Sequence, residues 1–273
     1  MTFTGTRSYI VGEGEVALID PGPDDPAHHA ALMAALAPGE RITHILVTHT
    51  HCDHSPLATT MARETGAMLY GFGPHGSGMQ PRMRALVDTG ADLGGGEGAD
   101  RRFRPERALE DGQTVAGRGW ALTALHTPGH LSNHLCFVLE DTGVVFSGDH
   151  VMGWASTLIS PPEGDLTDFM SALRRLRARA GDRLYLPGHG APVTEPHRLV
   201  DHIIAHREGR ERQILAALAE AADTITGLTA RIYADIDPKL HPAAARNVLA
   251  HLVDLVERGE VAAEDGLSRT GRF

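Results

Sequence analysis

With 273 residues, 42% hydrophobic and 22% charged, the chain can form one large core plus a small appended module, and its composition excludes disordered and fibrous classes. A formal net charge of −10 disfavours general adhesion to nucleic acid or an anionic membrane, although bound metal can make a cleft locally positive. The two cysteines, Cys52 and Cys136, lack a paired spacing, no secretory-signal pattern opens the chain, and no apolar run nears the ~18 residues of a spanning helix, so a reduced, cytoplasmic protein is expected.

Tyr9 to Val11 and Val16 to Ile19 are β-prone runs separated by Gly12-Glu13-Gly14, which predicts a hairpin. The Ala- and Leu-rich stretch from Pro26 to Ala37 predicts a helix stopped at Pro38-Gly39. Ile42 to Thr48 is an apolar run ending in a histidine cluster, and helix, strand and helix signals follow through Asp88. Residues 90–119 are the least patterned: Gly94-Gly95-Gly96 interrupts them, and Arg101, Arg102, Arg104 and Arg107 suggest a solvated loop or a basic approach to a substrate. Strands are expected over Trp120 to Leu125, Leu135 to Leu139, Val144 to Phe146 and Arg183 to Leu186. Between the last two, Leu166, Phe169, Met170, Leu173 and Leu176 recur at helical spacing, with arginines mostly on the opposite face. Beyond residue 195 the pattern turns helical, with helices to Ala222, from Thr226 to Tyr233 and from Pro242 to Arg258, and Gly259-Glu260-Val261 as the start of a small hairpin. This predicts a catalytic domain over 1–195 and a helical, winged-helix-like domain over 196–273.

The chemistry concentrates in Thr48-His49-Thr50-His51-Cys52-Asp53-His54-Ser55. Residues two apart in extended backbone project to one side, so His49 and His51 can grip one ion, while Asp53 and His54, where the chain turns into a helix, can face a second. Three glycine-bracketed residues follow at strand ends: His130 in Thr127-Pro128-Gly129-His130, Asp149 in Phe146-Ser147-Gly148-Asp149 and His189 in Pro187-Gly188-His189-Gly190. His134 stays open as hydrogen-bonding support, as a proton donor or as packing. His150 points away from its neighbour Asp149 by strand alternation, and Cys52 sits between ligands at a position that needs none.

These motifs, HxHxDH followed by H, D and H, resemble the metallo-β-lactamase superfamily over residues 1–195. The resemblance implies an α/β (α+β) fold, a four-layer αβ/βα sandwich with the ligands at strand ends. It implies one ion at His49, His51 and His130, a second at Asp53, His54 and His189, and Asp149 bridging both. Asp20 matches an aspartate that supports the ligand loop. Two divalent cations, best Zn2+ with iron or manganese also fitting part of the set, would activate a shared hydroxide for attack on an ester, thioester or phosphodiester, with Asp53 and Asp149 in the catalytic machinery. Asp149 stands where dizinc β-lactamases carry cysteine, which argues against antibiotic hydrolysis. Only 39 residues, 150–188, separate Asp149 from His189, too few for the inserted domain of β-CASP nucleases.

Within the superfamily the chain is similar to the β-lactamase-like protein 2 group, through Gly5-Thr6, Tyr9-Ile10-Val11-Gly12, Ile19-Asp20-Pro21-Gly22, Ser147-Gly148-Asp149 to Met152-Gly153-Trp154, and His206-Arg207-Glu208-Gly209-Arg210-Glu211-Arg212-Gln213. The group implies a C-terminal winged-helix-like module and either thioesterase-like activity or single-strand-specific endoribonuclease activity. It also implies additional chain upstream of Phe3-Thr4-Gly5-Thr6. An endoribonuclease needs a basic path, for which Arg101 to Arg107 or Arg207 to Arg212 are the candidates. A small-molecule acyl substrate needs an apolar channel, expected from Met79 to Val87 and around Trp154. The helix from Pro242 to Arg258, with Arg246, His251 and Arg258 against Asp254 and Glu257, is a poor duplex reader. It is expected to pack over the active-site mouth or support a homodimer rather than bind DNA.

Overall fold

The structure, a computed structural model, describes residues 5–96, 98–264 and 266–273; Phe3 and Thr4, at the start singled out above, lie outside the described residues. Tyr9–Val11 (β1) and Glu15–Ile19 (β2) form the expected antiparallel hairpin. Arg41–Leu46 (β3), Met68–Gly71 (β4) and Arg107–Ala108 (β5) extend it by parallel pairing into a five-stranded sheet in the order β1-β2-β3-β4-β5. β5 corrects the reading of residues 90–119 as loop alone, since Arg107 supplies an edge strand through its backbone. Pro26–Ala34 (α1) and Pro56–Thr65 (α2) are the parallel crossovers, and Pro81–Asp88 (α3) follows β4. The Asp25 carboxylate caps α1 by accepting from the Ala27 and His28 N–H groups, and the helix ends at Ala34, short of the expected Ala37.

The second sheet holds Thr114–Gly117 (β6), Trp120–His126 (β7), Leu135–Leu139 (β8), Val144–Gly148 (β9) and Leu184–Pro187 (β10), ordered β10-β9-β8-β7-β6. All its pairs are antiparallel except β9 with β10. Leu166–Arg177 (α4) buries Leu166, Phe169, Met170, Leu173 and Leu176, the stripe expected from their spacing. Ala17, Ile19 and Leu46 meet Leu122, Leu135, Phe137 and Phe146 between the sheets, while Val16, Leu18 and Ile45 pack outward on Leu57 and Met61 of α2. Behind the second sheet, Val138, Val145 and Tyr185 pack on α4. The layers therefore run helix, sheet, sheet, helix. Sheets covered on both faces account for β2 being apolar from Val16 to Ile19 rather than alternating.

Pro196–Glu220 (α5), Ile225–Ile232 (α6) and His241–Glu257 (α7) complete the chain. α5 serves two cores: Val200 and Ile203 join the one behind the second sheet, and Ile214 and Ala217 join the one around α6 and α7. The hairpin expected at Gly259-Glu260-Val261 is not formed among the described residues; a single bridge pairs Thr224 with Arg272 instead. No helix among the described residues is long and apolar enough to cross a membrane.

Candidate metal centre

His49 to His54 follow β3, His130 follows β7, Asp149 follows β9 and the His189 segment follows β10, so four strand ends deliver seven candidate ligands to one edge of the sandwich. They form two groups, His49, His51, His130 and Asp149 in one and Asp53, His54 and His189 in the other, with ligand atoms in each within 4.8 Å of one another. In the first, His51 Nδ1 lies 3.0 Å from both His49 Nε2 and His130 Nε2. The edge of a tetrahedron built on Zn–N bonds of ~2.0–2.1 Å is about 3.3 Å, so this spacing suits nitrogens that share an ion.

The Asp149 carboxylate reaches both groups. Its Oδ1 lies 3.5 Å from His54 Nε2, and its Oδ2 lies 3.3 Å from His189 Nε2, 3.8 Å from His130 Nε2 and 4.0 Å from His49 Nε2. Asp53 Oδ2 stands 3.1 Å from His189 Nε2 and 3.4 Å from His54 Nε2, and accepts the Thr6 hydroxyl at 2.7 Å. Gly188 permits this crowding, because a Cβ there would lie 2.4 Å from Asp149 Oδ1 and 2.7 Å from the His54 ring.

The outer ring nitrogens are tied down so that the inner ones face the cluster. His130 Nδ1 donates to the Leu158 carbonyl at 2.9 Å, His189 Nδ1 to the Gly5 carbonyl at 3.1 Å and His54 Nδ1 to Asp20 Oδ2 at 2.8 Å. Asp20 also accepts from the Thr48 N–H and hydroxyl, each at 2.7 Å, and holds the loop from a backbone with φ of 49°. The Thr48 hydroxyl, its proton given to Asp20, accepts from His49 Nδ1 at 2.9 Å. His54 Nε2 and Asp149 Oδ1 are buried with no hydrogen-bond partner among the described atoms, a cost that a cation would offset.

Electrostatics separates the two groups. Burial, then the neighbouring imidazoles, lowers His49 well below its ordinary value; burial and then His130 push His51 down to about 3. Burial also lowers His130, so these three rings are neutral lone-pair donors. For His54 and His189 burial acts in the same direction, but the adjacent carboxylates outweigh it, raising His54 well above its ordinary value and His189 to about 9. Burial opposes ionisation of Asp53 and Asp149, yet the adjacent histidines hold both carboxyls well below the usual range. The whole set, five imidazoles and two carboxylates, is the chemistry of a divalent cation site.

Of the three residues expected to act in catalysis, Asp53 and Asp149 line a cleft of about 430 Å³ and His134 does not. His134 is fully buried; its Nε2 accepts from the Asp149 N–H at 3.1 Å, which leaves Nδ1–H for the Thr127 hydroxyl at 2.9 Å. Its neighbour His150 points into the core, its ring centroid 4.6 Å from that of Phe169, and Cys52 is exposed. The cleft wall includes Leu131, Met152, Trp154 and Leu158, with Ala243 and Asn247 of α7 on one side. Met79 to Val87, expected in the channel, do not line it. Met79, Met83 and Leu86 pack instead in the core around α6 and α7. Arg207 is also corrected, from a basic approach path to a buried side chain at 2% exposure. Sequence reasoning missed Thr127, the Thr157-to-Ile159 segment and Asn247; only Thr127, beside a ligand motif, had a local signal.

Comparison with known proteins agrees with this geometry. The metallo-beta-lactamase superfamily matches residues 1–189, and the beta-lactamase associated winged helix domain matches residues 224–270. An atrochrysone carboxyl ACP thioesterase of Aspergillus fumigatus is 31% identical over 271 residues, covering 91% of this chain and 76% of that protein. A beta-lactamase-like protein 2 homolog of Caenorhabditis elegans is 30% identical over 268 residues, covering 95% and 81%. The crystal structure of a metallo-beta-lactamase family protein from Thermus thermophilus superposes with a TM-score of 0.73 at 26% identity, covering 98% of this chain and 93% of that one. The chain belongs to the metallo-β-lactamase superfamily, as a hydrolase with a β-lactamase-associated winged-helix domain behind its catalytic sandwich.

Proposed function

We propose that the chain is a two-zinc hydrolase of carboxylic thioesters or esters with an apolar acyl group. The observation that carries this reading is the cleft lining: no arginine or lysine is among the described residues of the wall, while Leu131, Met152, Trp154, Ala155, Leu158 and Ala243 are. A phosphodiester backbone calls for cations along its path. An acyl chain calls for a concave, mostly apolar wall with a few polar groups at one end. The Aspergillus fumigatus relative named a thioesterase supports the same choice.

His49, His51 and His130 would hold one ion, Asp53, His54 and His189 the other, and Asp149 both. A bound zinc pair supplies a nucleophile from water at neutral pH and polarises the scissile carbonyl. The chain's own residues orient and exclude. Asp53, which accepts the Thr6 hydroxyl and lines the cleft, would orient the attacking water by accepting a hydrogen bond from it. Leu131, Met152 and Leu158 keep bulk water from the acyl group. His134 has both ring nitrogens engaged and has no proton aimed at the cleft, so it supports Asp149 and donates nothing to the leaving group.

Ribonuclease activity is the competing reading. Two residues of the candidate basic segments count against it: Arg207 is buried, and Arg101, exposed at the cleft's edge 3.8 Å from Glu163, is not part of the wall. Nucleic-acid recognition by α7 is disfavoured too, because His251 is buried and Arg246 donates to Ser160, Leu93 and Pro161. Purified, zinc-loaded protein assayed on a single-stranded RNA oligomer and on a panel of acyl thioesters decides between them. Metal-dependent thioester hydrolysis with intact RNA is expected; RNA cleavage without thioester turnover refutes the proposal.

A further inference from the structure

Thr157-Leu158-Ile159 is irregular chain between β9 and α4, held by no sheet ladder, so its course depends on a few specific bonds. Two of them run to candidate ligands. The Thr157 hydroxyl donates to the Asp149 carbonyl at 2.5 Å, and the Leu158 carbonyl accepts His130 Nδ1–H at 2.9 Å. The second bond leaves His130 Nε2 unprotonated and aimed at the cluster.

The other side of the segment is held by the C-terminal helices. Arg207 of α5 donates to the Thr157 carbonyl and, at 2.9 Å, to Asn247 Oδ1. Asn247 of α7 accepts at that same oxygen from the Ile159 N–H at 3.2 Å. Two donors converging on one oxygen define the orientation of the Asn247 amide. Arg207 is 2% exposed, stacks 5.4 Å from the Phe169 ring centroid, and has no ion pair with a carboxylate among the described residues. Burying an uncompensated guanidinium is costly, so a carbonyl and an amide oxygen that both accept from it are strongly constrained.

We propose that Arg207 and Asn247 are positioning residues for the metal centre, acting through Thr157-Leu158-Ile159 to set the alignment of His130 and Asp149. The C-terminal helices thereby help to build the ion site, beyond closing the cleft beside it. This inference rests on the two-ion reading above.

The test measures metal binding rather than turnover, by zinc competition titration and by the visible absorption of cobalt-substituted protein, with circular dichroism to confirm the fold. Asn247→Ala removes the shared acceptor and is expected to lower affinity at one of the two sites by about 10- to 100-fold and to alter the cobalt spectrum. Asn247→Asp keeps an acceptor in place and is expected to restore both. Should the alanine variant not fold, Arg207→Lys, which keeps the buried charge but loses the planar two-pronged donor, is read in the same way. Wild-type affinity and spectrum in Asn247→Ala, or in Arg207→Lys where the alanine variant does not fold, overturns the inference alone. A wild-type chain that binds no transition metal overturns the two-ion reading and this inference with it.

Discussion

The backbone N–H of Asp149 donates to Nε2 of His134, 3.1 Å away, in a setting where His134 is fully buried. The bond joins the middle of the ligand set to the residue just before β8, through a ring that is itself anchored on Thr127. His134→Leu comes close to the volume but leaves the Asp149 N–H unpaired, at a cost of roughly 1–3 kcal/mol. Denaturant unfolding should show that loss, and a zinc titration an affinity reduced about 10- to 100-fold. Unchanged zinc affinity would mean that the ring only fills space.

Asp149→Ala should lose metal occupancy and hydrolysis together, because among the described residues its carboxylate is the one that reaches both histidine clusters. Elemental analysis of the purified variant, beside wild type, checks this. Two retained equivalents of metal would contradict the bridging role.

Gly129 has φ of 135°, and a Cβ added there would lie 2.3 Å from Phe169 Cα and 2.5 Å from Phe169 N. Backbone of α4 cannot yield as a flexible side chain would, and the dihedral is itself strained for any other residue. Gly129→Ala should therefore destabilise by roughly 2–4 kcal/mol in urea or guanidinium unfolding. A change under about 0.5 kcal/mol would show that α4 is free to shift.

His251 sits in the α7 core with neither ring nitrogen hydrogen-bonded among the described residues, and burial, then the nearby Arg207 cation, pushes its pKa down to about 3. Below its ordinary value of 6.5 the unfolded chain takes up a proton that the folded chain refuses. The stability tied to the neutral ring is thus complete above 6.5 and is lost as pH falls from there towards 3. His251→Leu removes this loss, so its Tm should decline less than that of wild type between about pH 7 and pH 4. Parallel Tm profiles for the two proteins would refute the assignment.

All seven candidate ligands were legible in the chain because each sits in a short motif where a strand stops and glycine or a turn follows. The α4 stripe and the β1–β2 hairpin were legible for the same reason: local periodicity carries them. β5 was not, since two residues carry no period and Arg107 pairs only because β4 has an open edge. Met79, Met83 and Leu86 offer apolar side chains, yet nothing local says which of two apolar surroundings receives them.

The sequence by itself determined the donor set, the order of strands and helices apart from β5 and β6, and the chemistry that five imidazoles and two carboxylates can support. Tertiary structure alone decided that His134 supports Asp149 instead of facing the cleft, that Arg207 is buried instead of basic surface, and that α7 walls the site. The division has a physical reason. A ligand motif is written in neighbouring residues, whereas the bonds that aim it join residues such as Thr157, Arg207 and Asn247, far apart in the chain and brought together only by packing.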